Sequence, residues 1–245
     1  MVSDAFLGID LGTSSVKAVA VDAEGTVRGM GSAEYPTLRP HPGWAEQEPD
    51  AWWEATISAV RQAAGWLGAG SAIGGIGVAG QMHGTVFLGE NDAPLTPAVI
   101  WEDQRSARQA AAITAKLGAE RLIGIAGSPL ATGFMAATAA WMQEERSSVW
   151  WRTKRLLLPK DELRRRVTGT LATDPGDGSG SLLLDARWRN WSPDLLDAAE
   201  VSSILLPPVK ASDAVVGEVT EAAAEAFGIA AGIPVVTGTG DAAST

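Results

Sequence analysis

The sequence predicts an α/β fold, a mixed sheet flanked by helices, and three observations carry that expectation. Apolar runs of strand length open the chain in quick succession at 5–10 (AFLGID), 16–21 (VKAVAV) and 26–34. The segments between them, GTSS and DAEG, have the residue types of hairpin turns. Further along, strand-like runs at 73–79, 85–89, 98–101, 154–158 and 233–237 are interleaved with helical patterns. Hairpins followed by such alternation place helices on the faces of a sheet with both antiparallel and parallel pairs.

The elements follow in order. Pro40, Pro42 and Pro49 mark an irregular loop, and Asp50 is the expected cap of a helix over about 51–67, because a carboxylate there accepts from free N–H groups. A loop at 80–84 separates two strands. The short strand 98–101 is expected to run into a helix over about 103–117, with further helices at 135–146, 160–168 and 218–227 and a loop at 173–180. Arg164, Arg165 and Arg166 read as a solvated helix end beside a negative dipole. The last eight residues, 238–245 (GTGDAAST), have the form of a strand-to-helix turn whose helix is only beginning. Such an abrupt stop suggests a piece of a longer protein, with residues 1–245 as one domain.

Composition excludes several classes. The formal net charge is -10, which repels nucleic acid phosphates, so nucleic acid is not an expected partner and any phosphate site must be built locally. There are no cysteines, hence no disulfides or thiolate metal sites, which fits a cytoplasmic location. No run reaches the ~18 apolar residues of a membrane span, and the N-terminus lacks the pattern of a signal peptide. Ten Trp stand against one Tyr, and their paired clusters suggest packed helix faces.

Two motifs carry chemistry. In Ile9-Asp10-Leu11-Gly12-Thr13-Ser14-Ser15, followed by Lys17, a carboxylate ends a buried strand and a tight turn follows. Gly12, Thr13, Ser14 and Ser15 can aim several donors at one phosphate, Lys17 can add a cation, and Asp10 can hold a magnesium ion directly or through water. A plain hairpin is the alternative reading of the same residues. In Gly238-Thr239-Gly240-Asp241-Ala242-Ala243, glycines allow close backbone approach and Asp241 is either a helix cap or a general base for a substrate hydroxyl. Together the two strand-ending aspartates suit phosphoryl transfer, where a protein mainly positions groups and balances charge.

At this point the chain resembles the FGGY carbohydrate kinases, and most of all their xylulokinase members. Gly8 to Lys17 is similar to that family's phosphate-binding hairpin, and Gly240-Asp241-Ala242-Ala243 to its catalytic-base motif. Gly80-Gln81-Met82-His83-Gly84 resembles the xylulokinase sugar loop, Trp101-Glu102-Asp103-Gln104-Arg105 the Trp-x-Asp-x-Arg segment, and Leu158-Pro159-Lys160-Asp161 and Thr173-Asp174 further landmarks in the same order. The resemblance implies a ribonuclease-H-like fold of the actin and hexokinase superfamily. It implies ATP and Mg2+ as cofactors and a ketose, D-xylulose first, as acceptor. Asp241 is then the catalytic base and Asp10 the metal carboxylate, while Met82, His83, Trp101, Asp103 and Asp241 form the sugar pocket. Arg105 is expected to be structural, since residues i and i+2 of a starting helix do not share a face. A C-terminal nucleotide-binding domain would complete the enzyme, a homodimer is a further expected arrangement, and the 245 residues alone are expected to be inactive. Ribulose, glycerol or gluconate are alternative acceptors, although Met82-His83 argues against glycerol. A non-catalytic sugar-binding module is the alternative from another class.

Overall fold

The computed structural model describes residues 5–67 and 72–243; the end of the last motif, Ser244 and Thr245, lies outside them. The opening hairpins form as expected. Strands Ala5–Leu11, Ser15–Val21 and Val27–Glu34 pair antiparallel in sequence order. Strict alternation in the first strand buries Ala5, Leu7, Ile9 and Leu11 on one face and sends Phe6, Gly8 and Asp10 to the other. Strand Ile73–Gly80 then adds to the first strand in parallel. Strands Pro234–Val236 and Thr239–Gly240 both pair in parallel with Ile73–Gly80, and Val215–Glu218 closes the edge. The result is one seven-stranded mixed sheet.

Helices Pro49–Gly65, Pro159–Thr168 and Glu221–Phe227 lie together on the face that buries Leu7, Ile9, Val16, Ala18 and Val78. Ala59 and Ala63 let the first of these helices come close to the third strand. A Cβ on Gly31 would meet the Ala59 carbonyl oxygen at 2.1 Å and one on Gly29 that of Ala63 at 2.2 Å, so glycine is required at both. A second core gathers Phe87, Leu122, Met135, Trp141, Leu156 and Leu183 among the helices of the middle of the chain.

Several expectations need correction. The first helix begins at Pro49, not 51, because proline is pre-set for the first helical position, and Glu48 rather than Asp50 precedes it. Asp50 instead pairs with Arg166 at 2.7 Å. Segment 173–180 contains a short helix, Pro175–Ser179, capped by the Asp174 side chain. The strand at 98–101 is only Ala98–Val99, and the following helix starts at Ala107. The region around 218 is split: Val215–Glu218 is a strand, and Thr220 caps the helix Glu221–Phe227. The arginine run is not solvated, because Arg164 is fully buried and Arg165 and Arg166 both bond Glu162. The paired tryptophans do not all pack: Trp52 is buried, whereas Trp151 and Trp188 stand in solvent.

Candidate active site

Three parallel strands bring the motifs together at their C-terminal ends. Asp10 stands beside Ala79 of the central strand, and Ala79 stands beside Thr239 on its other side. The next row is Leu11, Gly80 and Gly240. Beyond it the chain continues into the turn Gly12–Ser15, the loop Gln81–Gly84 and Asp241. Ligands in layered α/β folds gather beyond such strand ends. Here a cavity of about 650 Å³ runs along the sheet face away from the helices, with Asp10, Lys17, Asp213, Gly238, Thr239 and Asp241 in its walls.

The turn after Asp10 is held from inside. The Gly12 carbonyl accepts from the Tyr35 hydroxyl, the Thr13 carbonyl from Gln47 Nε2 (2.7 Å) and the Ser14 carbonyl from the Tyr35 N–H (3.2 Å). Trp101 Nε1 donates to Thr13 Oγ1 at 3.0 Å. The carbonyl side of the turn is thus fixed toward the protein. Lys17 is the cross-strand neighbour of Asp10, so both project to the same face. Burial, then the charge of Asp241, raises the pKa of Asp10, and Lys17 opposes that rise. Asp10 Oδ1 is buried and has no hydrogen-bond partner.

The loop after the central strand turns sharply, with Gly84 N–H donating to the Met82 carbonyl at 2.8 Å. His83 sits at φ 71°, a left-handed conformation that is unusual for a side chain of this size. Its ring stacks on Phe134, centroids 3.8 Å apart at 2°, and its Nδ1 lies 2.8 Å from the Gly180 carbonyl oxygen. A carbonyl only accepts, so Nδ1 carries the proton. Burial lowers the His83 pKa, with the Gly180 carbonyl and Asp241 acting the other way. The neutral ring therefore leaves Nε2 as an acceptor.

The last strand is placed by two glycines. At Gly238, φ 80°, a Cβ would meet the Val78 carbonyl oxygen at 1.9 Å, and at Gly240 it would meet Met82 Cγ at 2.6 Å. Met82 therefore packs directly on the residue before Asp241. Asp241 opens a short 3₁₀ turn and accepts from the Ala242 N–H at 2.8 Å. Met82 thus packs beside Asp241, His83 is near enough to feel its charge, and Asp241 shares the cavity wall with Asp10.

Asp103 departs from the expected role. It is fully buried, and its two oxygens accept from Arg105 Nε and Nη2 and from the Ala45 N–H (2.7 Å). The segment is not helical at this point, so Asp103 and Arg105 can pair after all, and the carboxylate is committed to the wall. Arg105 also bonds Glu46 at 2.7 Å and lies over the Trp44 ring at 3.6 Å. Trp101 is not a core strand residue. It stands half-exposed in a turn beside Thr13.

Beneath the site lies a buried charge cluster whose assembly the sequence did not reveal, although Lys160, Asp161 and Asp174 stand in landmark segments. Lys160 is fully buried, its Nζ 2.7 Å from Asp161, 3.1 Å from Asp174 and 4.0 Å from Asp177, and it also donates to the Thr237 carbonyl at 3.3 Å. Arg164 completes the set at 3.6 Å from Asp161. All five side chains are inaccessible to solvent, with three acids against two cations. Burial pushes the Asp177 pKa up, as do its acidic neighbours, against Lys160. Neither Asp177 oxygen has a hydrogen-bond partner. The cluster joins the two arms of the site, since Thr237 leads to Asp241 and Asp174 caps the turn that ends at Gly180.

Residues 5–245 match the model of the FGGY family of carbohydrate kinases, N-terminal domain. The chain is 37% identical over 242 residues to the xylulose kinase of Klebsiella pneumoniae, covering 98% of this chain and 49% of that protein. It is 36% identical over 239 residues to that of Escherichia coli K12, with 98% and 49% covered. Among solved structures, the xylulose kinase of Rhodospirillum rubrum superposes with a TM-score of 0.93 at 26% identity, over 97% of this chain and 49% of that one. The chain spans about half the length of the curated relatives it matches. With its matched segment running from the first strand to the last motif, the chain belongs to the FGGY family of carbohydrate kinases, as their N-terminal domain.

Proposed function

We propose that this chain is the acceptor-binding half of an ATP-dependent ketose kinase, with D-xylulose as the first candidate acceptor. The observation that carries the reading is the convergence of Asp10, Met82-His83 and Asp241 at the ends of three adjacent parallel strands. Its relatives at 36–37% identity are xylulose kinases, which supports the choice of sugar.

On this reading Asp241 takes the proton of the reacting sugar hydroxyl as general base. His83 Nε2 accepts from a second hydroxyl, and Met82 and Trp101 offer apolar surface to the sugar. The turn Gly12–Ser15, with Lys17, receives the phosphates. Asp10 fits a magnesium ion, since its buried Oδ1 lacks a partner. Among the described residues no group of three or more acidic or histidine side chains forms a cation cage. Magnesium held by one or two carboxylates together with substrate phosphates needs none. Bound Mg-ATP supplies the electrophilic phosphoryl group, and the protein's contribution is alignment and charge.

The open sheet face is, on the same reading, one wall of a cleft that a nucleotide-binding domain completes. The enzyme would be cytoplasmic, and size-exclusion chromatography of the full-length protein decides between monomer and homodimer. The test of function is a coupled ADP-release assay on the full-length protein with D-xylulose, D-ribulose, glycerol and gluconate. Turnover strongest with D-xylulose supports the proposal. Preference for another acceptor moves the substrate within the family, and sugar binding without any turnover favours a non-catalytic module.

A further inference from the structure

Gln47 was not conspicuous in the sequence, yet its side chain is the most fully engaged amide beside the site. It is completely buried in the two-residue strand Glu46–Gln47. Its Oε1 accepts from Trp52 Nε1 at 2.9 Å and from Gln81 Nε2 at 2.8 Å. Its Nε2 donates to the Thr13 carbonyl at 2.7 Å and to Thr37 Oγ1 at 2.8 Å. An indole N–H only donates and a carbonyl only accepts, so the amide has one possible orientation and uses its whole hydrogen-bonding capacity. Two of its four partners belong to the two halves of the site. Thr13 lies in the turn that follows Asp10, and Gln81 directly precedes Met82 and His83.

We propose that Gln47 is a positioning residue that sets the distance between the phosphate turn and the sugar loop. The assignment of those two segments rests on the kinase reading above. The mechanical link itself does not. One rigid amide spans them, so the turn and the loop move together or not at all. A Leu at the same place would fill the space and leave the Thr13 carbonyl, the Gln81 amide and the Trp52 N–H without partners in a dry interior, each a costly loss. No other residue type both donates twice and accepts twice through one planar group of this length.

Gln47→Glu tests the link, because it keeps the shape and replaces the donor end by an acceptor. In the full-length protein the variant is expected to lose about 10- to 100-fold in kcat at pH 8, as small misplacements of reacting groups do. The sugar KM should stay within about threefold, since Gln47 touches no substrate. A protonated glutamic acid regains one donor for the Thr13 carbonyl, so the variant-to-wild-type ratio of kcat should rise as pH falls from 8 to 6. Thr37→Val, which removes the one acceptor that belongs to neither half, should keep kcat within about threefold. An independent readout is amide hydrogen exchange by mass spectrometry: in Gln47→Glu, peptides covering 10–16 and 80–85 should exchange faster together. Should Gln47→Glu not fold, Gln47→Met carries the kcat and exchange measurements. A kcat within threefold of wild type at pH 8, a loss that ignores pH, or faster exchange in only one of the two segments overturns the proposal. If the wild-type protein phosphorylates none of the sugars, the kinase reading fails, and the exchange experiment still decides on the link.

Discussion

Asp10 and Asp241 face the same groove from strands on either side of Ile73–Gly80, and the charge of Asp241 helps to raise the pKa of Asp10. Residues far apart in the chain are thus close enough to feel each other's ionisation. Such pairing suits a division of labour in which one carboxylate handles metal-bound phosphate and the other handles the acceptor proton.

Asp241→Asn should lower kcat of the full-length enzyme by about 10²–10⁴, the usual cost of losing a general base. Asn keeps the shape and much of the hydrogen bonding, so sugar affinity measured by calorimetry should change by less than about tenfold, within a net hydrogen-bond contribution of ~0.5–1.5 kcal/mol. Near-normal turnover would reduce Asp241 to a helix cap.

For Asp10→Asn the loss should fall on metal-dependent turnover. Titrating magnesium at saturating sugar and ATP should restore part of the rate, because a weakened carboxylate ligand is offset by a higher free ion concentration. A magnesium response identical to that of the wild type would remove Asp10 from the metal's surroundings.

His83→Leu should raise the sugar KM by roughly 5- to 150-fold, which corresponds to the ~1–3 kcal/mol of leaving a buried hydroxyl unpaired. Because burial lowers the His83 pKa, the neutral ring predominates at and above its ordinary value of 6.5. The wild-type sugar KM should therefore change little from pH 8 to pH 7.5 and rise chiefly in buffer more acidic than pH 6.5. A KM that climbs steadily from pH 8 to pH 6.5 would contradict the neutral-acceptor assignment.

Asp177 offers a test by stability. Its folded pKa is raised well above 3.8, so the fold favours the protonated acid. The resulting stabilisation is full below the ordinary carboxylate pKa and fades as pH rises through the window up to the raised value. Asparagine mimics the protonated acid and does not titrate. Urea unfolding should show Asp177→Asn gaining on the wild type as pH rises from 5 to 8. If Asp177 is instead ionised against Lys160, the same change breaks a buried pair and should cost about 3–5 kcal/mol at neutral pH.

The hairpins, the turn after Asp10 and the glycine-flanked Asp241 were legible because their signals are local: strand alternation, turn residues and glycines a few positions apart. The buried settings of Gln47, Lys160 and Arg164 were not. A glutamine or a lysine in isolation reads as surface, and what buries these side chains are partners from distant segments, such as Thr13 for Gln47 and Thr237 for Lys160. Asp103 misled for a related reason. Its resemblance suggested a sugar ligand, whereas its oxygens are taken by Arg105 and by the Ala45 N–H, 58 residues earlier. Segment 173–180 looked like a loop because its glycines outweighed a cap, Asp174, that holds one helical turn together.

The pairing of Thr239–Gly240 with Ala79–Gly80 also orders events in time. Asp10 is placed by a hairpin that can close as soon as its two strands exist. Asp241 reaches its place only when the final strand slides in beside one formed much earlier in the chain, a long-range closure that is intrinsically slow. During synthesis the strand that carries Asp10 is therefore available long before the one that leads to Asp241. Most of the sheet can therefore be in place before the strand that leads to Asp241 docks.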